Sequence, residues 1–176
     1  MHARVYVAIV AAISLPSILP AQASPVAQAF REFEADEAKN LVAAAVEMPA
    51  DKYSFKPTPA QMSFGQIVTH LAAGNDYFCS AIGGATAPKR SKIDATATKD
   101  ALVARLRETF QFCDESLSKL DDSNLNEMLP FFNMPKKSRA GLMTVATGDW
   151  ADHYSQSAVY LRLNGLLPPT AKRPAQ

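Results

Sequence analysis

Apolar residues recur at steps of three and four along four long stretches of this chain, and no segment of useful length alternates at period two. That pattern belongs to amphipathic helices packed on one another, not to a sheet. The first stretch runs from about Pro25 to Met48, with Phe30, Phe33, Leu41, Ala45 and Met48 as its stripe. Glu32, Glu34, Asp36, Glu37 and Lys39 fall mainly on the other side and read as a solvated face. Pro49 closes that helix. The second stretch opens at Ser63-Phe64-Gly65-Gln66, which has the form of a capping box. It turns Phe64, Ile67, Leu71, Phe78 and Ile82 inward and ends at Gly83-Gly84. The third begins with Thr98 as cap and Asp100 in the first turn. Its stripe is Leu102, Leu106, Phe110, Cys113, Leu117 and Leu120, and it stops near Asp121-Asp122-Ser123-Asn124. The fourth runs from about Arg139 to Asn164, with Gly165 just past its end and Pro168-Pro169 preventing continuation. The tail from Thr170 is expected to fray.

The connections carry their own pattern. Met48 to Pro59 alternates prolines with Tyr53 and Phe55, which suits an ordered extended loop plugging one end of the core. Asn126 to Ser138 holds Leu129-Pro130-Phe131-Phe132-Asn133-Met134-Pro135 and reads as an ordered, non-helical loop. Gly84 to Ala97 reads as an exposed loop with little chemistry, and Lys136, Lys137 and Arg139 as a solvated basic cluster. The expected fold is all-α, a four-helix bundle with proline-containing cross-connections and no sheet.

The beginning of the chain changes the picture. Met1 to Arg4 is a short basic start, Val5 to Leu19 an apolar run broken by Pro16, and Ala21-Gln22-Ala23 a small-x-small cleavage signature. Residues 1–23 therefore read as a signal peptide, too short and broken for a membrane anchor, and residues 24–176 as one helical domain. The expected location is periplasmic or secreted, with no stable membrane insertion after cleavage. Arg4 is the only charged residue in the leader, so the domain keeps one fewer than the chain's 18 basic residues, matching its 17 acidic ones. Nothing in that balance suits nucleic acid. In an exported chain, Cys79 and Cys113, both on helical stripes, are expected to bridge two helices. Such a bridge closes a loop of about 35 residues and contributes roughly 2–4 kcal/mol.

The candidate chemistry sits on the fourth helix. Leu142, Val145, Asp149, His153, Gln156 and Tyr160 follow at helical spacing, so a face that begins apolar turns into a carboxylate, an imidazole and an amide. Buried polar groups need partners, and a metal ion is one. Asp149 and His153 at i, i+4 suit two ligands, and His70, beside Ile67 and Leu71, offers a third from a facing helix. The three are expected to converge on one point in the bundle interior. Two imidazoles and a carboxylate suit zinc, nickel, iron or manganese alike. Asp152 is displaced by about 100° from His153 and reads as a second choice of ligand or a supporting partner; Gln156 and Tyr160 read as supporting partners.

Several short motifs also resemble one family. Met48-Pro49 with Tyr53 and Phe55, Ser63-Phe64-Gly65 followed by His70-Leu71-Ala72, and His153-Tyr154-Ser155-Gln156 with Tyr160-Leu161-Arg162 and Gly165 are similar in order and spacing to the DinB-like proteins. The resemblance covers nearly the whole domain. It implies a four-helix bundle in which a histidine on the second helix and two at i, i+4 on the last hold a divalent metal. Those roles fall on His70, Asp149 and His153, with aspartate at 149 where the family commonly has histidine. Its characterised relatives include thiol-dependent transferases and a maleylpyruvate isomerase, and many others are only named as metal-dependent hydrolases. Two functions follow as expectations. One is an exported metal-dependent enzyme of hydrolase or transferase type, acting on an unidentified small molecule, with a homodimer left open. The other is a non-catalytic exported bundle, binding a ligand or a protein, with a degenerate site. No Ser-His-Asp or Cys-His pattern and no glycine-rich phosphate loop is visible.

Overall fold

Four helices form where the apolar spacing placed them: α1 (Pro25–Glu47), α2 (Phe64–Gly83), α3 (Lys99–Leu117) and α4 (Arg139–Leu163). The computed structural model describes residues 24–172, and the expected signal peptide lies outside the described residues. Local chemistry explains most of the ends. The Ser63 hydroxyl accepts from Gln66 N–H, and the Gln66 side chain accepts from Ser63 N–H at 2.7 Å, which completes the capping box. Gly84 and Gly165 take φ of 73° and 75°, the left-handed geometry that ends α2 and α4 without a Cβ penalty. The start of α1 is solved at long range. Ser24 makes no side-chain cap, and the Asp122 carboxylate accepts from Ala27 N–H at 2.8 Å and Val26 N–H at 3.2 Å.

Around the bundle α1 packs on α3 and α4, and α2 packs on the same two. Helices consecutive in sequence from α1 to α2 and from α3 to α4 therefore lie across a diagonal, as the long connections require. The α2–α3 seam is stapled by the Cys79–Cys113 disulfide. One turn on, Gly83 touches α3 so closely that a Cβ there would sit 2.4 Å from Ser116 O. Trp150 fills the centre with no exposure, stacked on Phe30 at 5.6 Å and tilted against Phe110 at 6.4 Å. Its Nε1–H donates to Asn75 Oδ1 at 2.8 Å, and Asn75 Nδ2 donates to Thr109 Oγ1 at 3.2 Å. Three helices thus share one buried, satisfied polar chain. Tyr53 and Phe55 do plug one end, edge-on to Phe64 and Tyr160.

Several expectations are corrected. The connection from α3 to α4 is a small antiparallel hairpin, β1 (Met128–Phe131) and β2 (Met134–Ser138), so the domain is not free of sheet. Pro130 and Pro135 hid it, because the alternation is short and proline-broken. Residues 170–172 do not fray: Pro169–Lys172 forms a 3-10 turn, Tyr154 Oη donates to Thr170 Oγ1, and Lys172 Nζ pairs with Glu47 at 2.7 Å. Arg139 is not solvated, since its guanidinium donates to Ile82 O and to Glu127 Oε2. Arg90, in the loop taken as chemically idle, binds both Asp76 oxygens, at 3.1 and 2.8 Å, and so pins that loop to α2.

Glu34 is the sharpest departure. It lies four residues after Phe30 and seven before Leu41, on the apolar stripe, and it is only 3% exposed. Burial, and then the negative charge of Asp114, pushes its carboxyl up to about 7. The folded state therefore holds the Glu34 proton more tightly than the unfolded chain does. Stability associated with Glu34 is complete below about pH 4.5 and is lost as pH rises through about 7. Glu34→Gln is expected to stabilise the protein above pH 7 by an amount on the order of 3 kcal/mol. The two unfolding curves should converge below pH 4.5, the ordinary glutamate value. Urea titrations at pH 4, 6 and 8 check this, and a difference that does not change with pH would refute it.

Candidate metal centre

Helices α2 and α4 run antiparallel, and their seam carries the centre. At one end Arg139, the first residue of α4, holds Ile82 O near the close of α2. At the other, Tyr160 Oη donates to Met62 O just before α2 begins, at 2.8 Å. Between these two ties His70, Asp149 and His153 meet, with one potential ligand atom from each within 4.8 Å of the others. Asp149 Oδ1 lies 3.2 Å from His70 Nε2 and 3.5 Å from His153 Nδ1. The two imidazole rings stack, with centroids 4.6 Å apart.

The helix backbone itself orients His153. Its Nδ1 lies 2.7 Å from the carbonyl oxygen of Asp149, one turn earlier, which an Nδ1–H donor satisfies. That tautomer leaves Nε2 with its lone pair free for a ligand. His153 is buried, whereas the His70 side chain is 48% exposed. The convergence is therefore at the lip of the α2–α4 groove and not in the bundle interior. The core face of α4 is turned slightly from the expected one. Ala146 and Trp150 occupy its centre, Asp149 stands at its edge, and the fully buried Trp150 was not foreseen. Its hint was the spacing Leu142, Ala146, Trp150, His153, which is as helical as the stripe first read.

The donor set fits a divalent ion. Asp149 Oδ2 is buried and has no hydrogen-bond partner, a costly state that a cation relieves. One exposed imidazole leaves the site open toward solvent, as a catalytic rather than closed structural site requires. The supporting residues behave otherwise than expected. Gln156 Nε2 donates to Asp152 Oδ2 at 2.7 Å on the outside of α4. Tyr160 holds the end of the seam, and burial raises its hydroxyl pKa. The side-chain hydrogen bonds of these three run to one another or to Met62, not to the cluster.

Fold and cluster together define a helical-bundle protein with a candidate open metal site between two antiparallel helices. Residues 33–157 match the family described as the DinB superfamily, and the chain belongs to that superfamily. No curated protein matches it. Among solved structures, a DinB-like protein from Bacillus subtilis superposes with a TM-score of 0.65 at 18% identity, over 82% of this chain and 99% of that one. A DinB-like protein from Bacillus cereus gives 0.66 at 16% identity, over 81% and 95%. A conserved protein from Enterococcus faecalis gives 0.63 at 17% identity, over 78% and 96%. At such identities the likeness speaks for the fold.

Proposed function

We propose that this chain is an exported, divalent-metal-dependent enzyme of hydrolase or transferase type, with His70, Asp149 and His153 as its metal ligands. The observation that carries this reading is the buried, partnerless Asp149 Oδ2 beside two imidazoles, one of them oriented by a backbone carbonyl. When bound, such an ion polarises a carbonyl or lowers the pKa of a bound water or thiol. The chain's own residues do the rest. Asp149 supplies the negative charge, His153 is aimed by the Asp149 carbonyl, and half-exposed His70 leaves the approach open. Export rests on the leader-like residues 1–23 and on the disulfide, which suits an oxidising compartment. Among the described residues no helix is long and apolar enough to cross a membrane.

A second reading, a non-catalytic bundle with a degenerate site, has its own support. Asp149 Oδ1 already lies 3.2 Å from His70 Nε2 and the Asp149 carbonyl oxygen holds His153 Nδ1, so the trio can stand without an ion. Elemental analysis of protein purified without an affinity tag separates the two. About one zinc, nickel, iron or manganese ion per chain, lost in His70→Ala, is the expected result. Metal-free protein that also takes up none of these ions on dialysis would leave the second reading standing.

A further inference from the structure

His70, Gly74 and Tyr77 follow at steps of four and three and share one face of α2. Seven residues of helix span about 10.5 Å. Between the imidazole and the phenol that face carries only the small residues Ala73 and Gly74. A Cβ at position 74 would stand 3.5 Å from Asp149 Oδ2 and 3.8 Å from the Phe78 ring. On Tyr77 lies Phe132, the two rings 4.0 Å apart and 15° from parallel. Phe132 is also edge-on to Phe78, at 6.2 Å. Gly74 and Phe78 thus stand between the metal centre and a stacked aromatic pair.

Phe132 is held there against its own backbone preference. It is the first of the two residues that join β1 to β2, and its φ is 47°. Glycine is the usual occupant where a hairpin needs positive φ, and a bulky side chain there is strained. Burial does not offset that strain, because Phe132 is 57% exposed. The Tyr77 hydroxyl fixes the turn from both sides: it accepts from Phe132 N–H at 2.7 Å and donates to Pro130 O at 3.1 Å. Strain that burial does not offset points to a working part.

We propose that Phe132 and Tyr77 form an aromatic shelf for the apolar or aromatic body of a ligand whose polar head sits at His70, Asp149 and His153. The position of the head rests on the metal reading above; the shelf does not. The ligand class is then a planar or apolar group about 10 Å, two helical turns, from a metal-binding carboxylate, hydroxamate or thiolate.

The test uses the full chain loaded with cobalt(II), whose visible absorption reports on the ligand set. It is titrated with biphenyl-4-ylacetohydroxamic acid, whose outer ring reaches as far as the shelf, and with acetohydroxamic acid, which share the head and differ in the body. The aryl compound is expected to bind about tenfold tighter, the worth of one aromatic contact with its buried area. Phe132→Ala should erase that preference while leaving cobalt uptake and acetohydroxamate affinity unchanged. Phe132→Gly, which relaxes the backbone, should erase it without lowering the melting temperature. A preference that survives both substitutions, or is absent from the parent, overturns the shelf. A second arm needs no metal. In saturation-transfer NMR with metal-free protein, the ring protons of 3-phenylpropanamide should take up saturation from the parent and lose it with Phe132→Gly. Equal transfer to both overturns the shelf whatever cobalt does. Refusal of cobalt with ring transfer intact would sink the metal reading and leave the shelf standing.

Discussion

Trp150→Ala is expected to lower the unfolding free energy by about 4–5 kcal/mol, near the top of the range for core truncations. The residue has no exposure, stacks on Phe30 and leans on Phe110. The cavity would open at the meeting point of four helices tied by a disulfide and a polar chain, where collapse is hard. The truncation would also strip Asn75 Oδ1 of its donor and leave a buried acceptor unsatisfied, at about 1–3 kcal/mol. Against a total of about 5–15 kcal/mol, that is a large share. Trp150→Phe separates the two parts, since it keeps an aromatic ring and removes only the donor. Trp150 is the chain's one tryptophan, so denaturant curves must be followed by far-UV circular dichroism. A loss below about 1.5 kcal/mol would contradict the packing described.

Asp149→Ala should weaken divalent-metal binding by about 100-fold or more, because it removes the one anionic ligand of the three. The metal-free protein should change by less than about 1 kcal/mol. The reason lies in Oδ2, which is buried without a partner, so the wild-type carboxylate already carries a desolvation cost that alanine removes. His70, half-exposed, can turn to water once its partner is gone. Affinity and stability are thereby separated at one position. Equilibrium dialysis against zinc, with thermal melts in chelator, measures both. Undiminished zinc uptake would remove Asp149 from the centre. Unchanged affinity in Asp149→Asn would show that the carboxylate's charge is not what binds.

Much of this was legible in the chain, for definite reasons. Ser63 and Gln66 satisfy each other locally, so the start of α2 could be read within four residues. Gly84 and Gly165 likewise announce their own turns. The cap of α1 could not be read, because Asp122 reaches it from the far side of the bundle. Glu34 follows its spacing from Phe30 and Leu41 into the core, against what its charge alone would suggest. The hairpin at 128–138 was missed because two prolines and adjacent aromatics obscure a short alternation. Within the site, the i, i+4 spacing of Asp149 and His153 and the neighbours of His70 sufficed to bring the three together. Their depth did not follow, since whether a residue sits at the middle or lip of a groove depends on helix rotation. Trp150 sets that rotation by occupying the centre of the face.

The two ties at the ends of the α2–α4 seam bear on entropy. Arg139 on Ile82 O and Tyr160 on Met62 O fix the spacing and the relative register of the two helices before anything binds. His153 Nδ1 already lies 2.7 Å from the Asp149 carbonyl oxygen, so its ring is oriented in advance. An incoming ion would find the helix spacing and the His153 ring set in advance, so that only the half-exposed His70 is left to be ordered. Recognition there would depend on coordination geometry and desolvation, with no refolding step to slow association. Any selectivity between cations would then come from how far a stiff frame can stretch to each ionic radius.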